Sequence, residues 1–230
     1  MAETTDLPST HVTRAMEDYL KAVYRLLEKG DAATTQALAE ELNVTGPSVT
    51  NMVKRLHAMR LLKYTRYQGV ELTPAGEKIA LEVIRHHRLL ELYLAESLGY
   101  GWDEVHDEAE KLEHHLSEDL EARMDSALGF PTHDPHGDPI PSREGKIPIE
   151  NALMLRDAEP RQRLTVTRVS DRDPDRLRYL GALGLFPGAA VEVLERLPFD
   201  DLLKIKVNDM EHIVGKQLGE SVFVADRSAS

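Results

Sequence analysis

Apolar side chains recur every three or four positions near the start of the chain. Met16, Tyr19, Leu20, Val23 and Leu27 fall on one face of a helix that Thr13 caps and Gly30 ends, with Asp18 off that stripe. A shorter helix is predicted over 35–41, with Leu38 and Leu42 inward, followed by a turn at Asn43-Val44-Thr45-Gly46. A third helix runs from Pro47 to about Met59 and buries Val49, Met52, Val53 and Leu56. Pro47 suits its first position, where the missing N–H has no partner to lose. Weak alternation over 61–67, a Gln68-Gly69 turn and the run Val70-Glu71-Leu72 predict a small hairpin, and Thr73-Pro74 opens the next helix. Between 74 and 98 the apolar residues fill two stripes, Ile79, Val83, Leu90 and Leu94 on one and Leu81, Ile84 and Leu92 on the other, so that helix should pack against two neighbours. One more helix, from Trp102 to about Leu128, carries Val105, Ala109, Leu112, Leu116 and Leu120. A two-helix hairpin of this size buries little alone, and a second copy of the chain is the natural partner surface.

Prolines 131, 135, 139, 141 and 148 then break any regular element, which predicts a linker over 131–148. Beyond it, β-like runs at 163–169, 190–194, 202–207 and 221–225 predict a small barrel. The expected architecture is mainly α with a small β domain: a winged helix-turn-helix over 1–74, a helical dimerisation and metal-binding domain over 75–130, the linker, and a β domain over 149–230.

Helix, turn, helix and basic hairpin is the order of a winged helix-turn-helix, whose second helix enters the major groove of duplex DNA. Thr45, Pro47, Ser48, Thr50 and Asn51 would open that helix with short side chains suited to base edges or phosphates, Lys54 and Arg55 would lie nearer the backbone, and Lys63, Arg66 and Tyr67 would form the wing. The net charge of −12 looks wrong for such a role, but its distribution matters more. Residues 45–70 contain five Lys or Arg and no Asp or Glu, whereas 79–140 contain fifteen acidic residues against four basic ones. The plainer reading of the first region is a protein-interaction domain with solvated polar residues; the coincidence of the acid-free window with the recognition helix and wing favours DNA.

The acidic middle third carries the candidate chemistry. Cysteine is absent, so disulfides, thiolate zinc sites and cysteine nucleophiles are excluded. Glu110, Glu113 and His114 stand at i, i+3 and i+4 and share a helix face. Two carboxylates and an imidazole form an open, oxygen-rich set that suits manganese(II) or iron(II), with Asp18 or Glu17 completing it from the first helix. His87 and Glu91, four apart, with His106 across the hairpin, form a second candidate set. Each pair taken singly also fits a solvated ion pair. His86, His115, His133 and His136 have no matching partners and are expected in surface or structural roles.

At these residues the chain resembles the diphtheria-toxin-repressor and manganese-transport-regulator family of metal-dependent repressors. The matching stretches are Met16-Glu17-Asp18-Tyr19-Leu20, Gly46-Pro47-Ser48-Val49-Thr50, Leu72-Thr73-Pro74-Ala75-Gly76, His87-Arg88-Leu89-Leu90-Glu91, and Val105-His106-Asp107-Glu108-Ala109-Glu110 followed by Leu112-Glu113-His114-His115. Leu180-Gly181-Ala182-Leu183-Gly184-Leu185 and Pro187-Gly188 look like the SH3-like domain of the longer members. The resemblance implies a winged helix, a helical dimerisation domain and an SH3-like barrel. It implies a primary site at Asp18, Glu110, Glu113 and His114, and an ancillary site at His87, Glu91 and His106, to which Asp173 or Asp175 would contribute. Iron-responsive members often have Cys in place of Glu110 and Met in place of Asp18; carboxylates at both positions point to manganese(II). Short manganese regulators have Glu in place of Lys21, and Lys21 argues for two separated sites over a closely spaced pair.

The function so implied is a homodimeric regulator that binds a palindromic operator and represses metal-uptake genes, metal joining the first helix to the dimerisation domain. The N-terminus lacks the regions of a signal peptide, and no window holds 18 consecutive apolar residues, so a cytoplasmic protein without membrane contact is expected. The competing readings are a metal-dependent hydrolase or oxidase using the same cluster and a constitutive architectural DNA binder.

Overall fold

The computed structural model describes residues 11–65, 69–149, 151–170, 173–198 and 201–226, which divide into two compact units at Ile84 and Arg85, inside one long helix. In the first unit, α1 (Arg14–Glu28) buries Met16, Tyr19, Leu20 and Val23 as expected, but its last inward leucine is Leu26, and Leu27, expected on the stripe, is exposed. Lys21 is buried on the same helix. The hydroxyl of Thr34 accepts from Ala37 N at 3.1 Å and starts α2 (Thr35–Glu41). Next comes α3 (Gly46–Ala58), with Pro47 in its first turn and Val49, Val53 and Leu56 inward. The hairpin pairs β1 (Leu62–Thr65) with β2 (Gly69–Leu72) in antiparallel register, Leu62 opposite Leu72.

The Leu72–Gly76 stretch has a local explanation. Thr73 Oγ1 donates to Arg60 O at 2.8 Å and accepts from Gly76 N at 3.2 Å, so it ties the start of α4 (Pro74–Leu98) to the end of α3. A Cβ on Gly76 would sit 2.1 Å from Leu61 O, so only glycine permits that approach.

In the second unit, α4 from Arg85 onward buries two apolar stripes in separate clusters, as its pattern predicts. Leu90 and Leu94 pack with Val105, Ala109 and Met124, while Leu89 and Leu92 pack with Ile140. The single helix expected over 102–128 is divided: α5 (Val105–Leu112), a 3-10 turn (Glu113–His115) and α6 (Glu118–Ala127). Ser117, extended and accepting from Leu120 N, starts α6 afresh, so the leucine periodicity runs on across a break in the backbone. The proline-rich stretch holds neither helix nor strand, but it is packed against α4. Arg88 Nη1 donates to Pro139 O at 2.5 Å, Arg85 Nη1 to Pro141 O at 2.9 Å, and Ile140 and His136 are buried.

The rest of this unit is an antiparallel sheet of β3 (Leu153–Met154), β4 (Arg163–Val169), β5 (Ala190–Arg196), β6 (Leu203–Val207), β7 (Met210–Val214) and β8 (Val222–Asp226), in the order β3-β8-β4-β5-β6-β7. Two short helices, α7 (Pro174–Ala182) and α8 (Lys216–Ser221), complete it. Alternate residues of β4, β5 and β6 fill its core, which also takes Leu177, Leu180 and Leu185. The 207–210 segment, expected only as a break, turns tightly at Asn208 and Asp209, both at positive φ, and feeds β7.

Candidate metal centre

Three elements of the second unit converge on one acidic centre: α4, the α5 segment with its 3-10 turn, and the turn at 134–138. Helical spacing on α4 puts His87 and Glu91 on one face, and both are buried. His87 Nδ1 lies 2.5 Å from Glu113 Oε2 and 3.4 Å from Glu110 Oε2. Its Nε2 lies 2.8 Å from Glu91 Oε1. His106 Nδ1 meets the same Glu91 oxygen at 3.0 Å, so His106 joins the His87–Glu91 pair from across the hairpin. Glu113 is fully buried, with His114 Nε2 at 3.2 Å from its other oxygen. Glu110, at the outer edge, groups with His87 and His106. Asp18 lies half-buried on α1 in the first unit.

Glu91 has a second face that the sequence reading missed. Its Oε2 points to Asp134 and His136, both buried, with His136 Nδ1 at 3.8 Å. Glu91 Oε2 and Asp134 Oδ2 have no hydrogen-bond partner. Burial and the charges of Asp138 and Glu91 push the Asp134 carboxyl well above its ordinary value, against His136 and Arg88. Burial also pushes Glu91 up, but the charge of His87, hydrogen bonds with His106 and His87 and the nearby His136 outweigh it and hold Glu91 well below the usual carboxylate range. Two buried carboxylates with bare oxygens beside an imidazole fit a divalent cation of hard or borderline character. His136, expected in a surface or structural role, is buried and groups with Glu91 and Asp134. The signal available was the run Asp134-Pro135-His136-Gly137, which the prolines disguised as linker.

Asp173 and Asp175 are engaged elsewhere. Asp173 caps α7, accepting from Asp175 N and Arg176 N, and the exposed Asp175 pairs with Arg178. Neither joins any group of three or more metal-type ligands among the described residues.

In the first unit, Thr45, Pro47, Ser48, Asn51, Lys54, Arg55 and Lys63 are exposed. Thr45 Oγ1 and Ser48 Oγ lie 2.9 Å apart, while the Thr50 hydroxyl donates to Gly46 O at 3.0 Å and so is held against its own helix. Arg66 and Tyr67 lie outside the described residues.

Residues 11–70 match the domain described as iron dependent repressor, N-terminal DNA binding domain. Residues 73–142 match iron dependent repressor, metal binding and dimerisation domain, and 153–226 match the FeoA domain. A solved structure, a manganese-dependent transcriptional repressor in complex with manganese, superposes with a TM-score of 0.86 at 37% identity, covering 92% of this chain and 99% of that one. The chain belongs to the diphtheria toxin repressor family. The iron-dependent repressor IdeR of Mycobacterium tuberculosis is 41% identical over 125 residues, about half of either protein at 54% each. The diphtheria toxin repressor of Corynebacterium jeikeium is 29% identical over 231 residues, covering 90% of this chain and 95% of that one. Members of the diphtheria toxin repressor family are metal-dependent repressors, and none of these relatives supports the hydrolase reading. The C-terminal sheet is accordingly the SH3-like domain of the longer members.

Proposed function

We propose that this chain is a metal-dependent repressor that grips duplex DNA as a homodimer when divalent cations occupy its acidic centre, with manganese(II) the first choice and iron(II) the second. The observation that carries this reading is the convergence of buried Glu91, Glu113, Asp134, His87 and His136 in a chain whose α3 is free of acidic residues. A divalent ion supplies the positive charge that these carboxylates lack. Asp18, Glu110, Glu113 and His114 are the proposed primary ligands. The second set centres on Glu91. His87 and His106 occupy its Oε1, and Asp134 and His136 present further ligand atoms beside Oε2. The buried ammonium of Lys21 cannot ligate while protonated, in keeping with two separate sites.

Ligation by Asp18 would tie α1, and with it α3, to the dimerisation helices. That tie sets the spacing of the two recognition helices against palindromic half-sites about 34 Å, or a multiple, apart. Asn51 reads a base edge; Lys54, Arg55, Lys63 and Arg66 hold phosphates. The proposed targets are metal-uptake genes in the cytoplasm. No helix among the described residues is long and apolar enough to cross a membrane.

The test is operator binding by the purified protein in chelator, in manganese(II) and in anaerobic iron(II), alongside Glu110→Ala. Affinity should fall about 100-fold or more in chelator and in the variant, the size of shift a two-state coupling of this kind produces. Equal affinity in all conditions would leave the architectural binder standing instead.

A further inference from the structure

The geometry points to Trp102 as the positioning residue for the Glu91–Asp134–His136 site, held in place by the C-terminal β domain; this inference rests on that cluster binding metal. Trp102 is the chain's one tryptophan. Its main-chain carbonyl lies 2.6 Å from His136 Nε2. A carbonyl only accepts, so Nε2 carries a proton there, and the ring so held directs Nδ1 toward Glu91 Oε2, 3.8 Å away. That is the arrangement by which an outer-shell oxygen selects the tautomer of a metal-binding histidine. The indole also stacks on the imidazole, with centroids 5.8 Å apart and planes at 28°.

What fixes Trp102 is the β domain. Its ring packs on Phe186 at 4.7 Å and against the core of the sheet. Next to it, Asp103 takes a 2.9 Å bond from Arg178 of α7. The turn carrying His136 is held by the same domain. Val169 N donates to His136 O at 2.9 Å, and Arg168 Nη1 to Asp138 Oδ1 at 3.0 Å. Gly137, at φ +86°, lies so close to β4 that a Cβ would come within 2.0 Å of Thr167 O. Imidazole and carbonyl are therefore clamped from one side, and the site keeps its ligand atoms aligned only while the β domain stays docked on both.

The experiment is manganese(II) titration of the metal-free full-length dimer by calorimetry, with bound ion counted by electron paramagnetic resonance. His136→Ala should abolish one class of sites. Trp102→Ala should weaken that class about tenfold or more and spare the other, the usual effect of removing an outer-shell partner. Trp102→Phe, which keeps an aromatic stack, should restore most of the affinity. The double variant Trp102→Ala/His136→Ala should bind no worse than His136→Ala, because both act on one site. Filling that class should also shift Trp102 fluorescence in the parent protein and not in His136→Ala. If Trp102→Ala keeps both classes while His136→Ala has lost one, the positioning role is wrong and the site reading survives. If His136→Ala and Asp134→Asn both keep every class, the site reading itself is wrong, and the positioning role falls with it. Should Trp102→Ala fail to fold, Arg178→Ala, a surface change, tests the same link: weakened binding in that class supports it, and unchanged binding refutes it.

Discussion

Arg85 reaches Glu121 at 2.6 Å, Asp125 at 2.7 Å and the carbonyl of Pro141, all within a buried patch beside the acidic centre. Burial pushes the Glu121 carboxyl up, but the hydrogen bond and charge of Arg85, together with His86, hold it below its ordinary value. A carboxylate whose folded pKa is depressed stabilises the fold above its unfolded pKa and loses that contribution as pH falls through the folded value. Glu121→Gln should therefore cost about 1–3 kcal/mol in urea unfolding at pH 7, and the difference from the parent should shrink steadily as pH falls through the acid range. Gly76 makes a different kind of residue-scale claim. Because an alanine Cβ would collide with Leu61 O, Gly76→Ala should destabilise the first unit by about 1–3 kcal/mol in thermal melts, with no change in manganese stoichiometry. The Leu-Thr-Pro-Ala-Gly run was recognisable in the sequence, but the reason for its glycine was not, since Leu61 is distant along the chain and close only in the fold.

At the scale of elements, α3 and the acidic centre were legible to different degrees. The apolar stripe of α3 and its proline start follow from periodicity, and its outer face carries Asn51, Lys54 and Arg55 in the open. Lys54→Ala should weaken binding to all DNA sequences alike and lower the slope of log affinity against log salt by about 1, measured by anisotropy across a salt series. Asn51→Ala should instead cost about 1–3 kcal/mol on the operator and relax the preference at one base pair, measured with single-substitution operators. The helix over 102–128 was read as continuous because leucines recur across Ser117. The backbone breaks there, placing Glu113 and His114 on a 3-10 turn. The 131–148 segment was read as linker because prolines forbid helix and strand. Those prolines exclude helix and strand but not packing, and arginines of α4 hold the segment by its carbonyls.

For the whole molecule, ligand binding to the folded state alone must raise stability by mass action. Manganese(II) at about 100 times its dissociation constant should stabilise the chain by roughly 2.7 kcal/mol per site. The unfolding midpoint should thus rise with metal and return with chelator in calorimetry, and Glu113→Ala should blunt the rise. An unchanged midpoint would mean that the centre takes no ion. The division of labour along the chain, acid-free at 45–70 and strongly acidic at 79–140, already separates the part that meets DNA from the part suited to cations.

Periodicity, capping residues and charge distribution are local properties, and by themselves they determined the winged helix, the two-sided α4, the small β domain and the carboxylate–histidine pairs that lie one helical turn apart. The fold decided what depends on chain segments meeting over distance. Glu91 gained Asp134 and His136 from a proline-rich turn more than forty residues away, Asp173 became a helix cap, and Trp102 met the imidazole of His136. No spacing rule encodes such contacts, because they arise from how separate apolar surfaces pack.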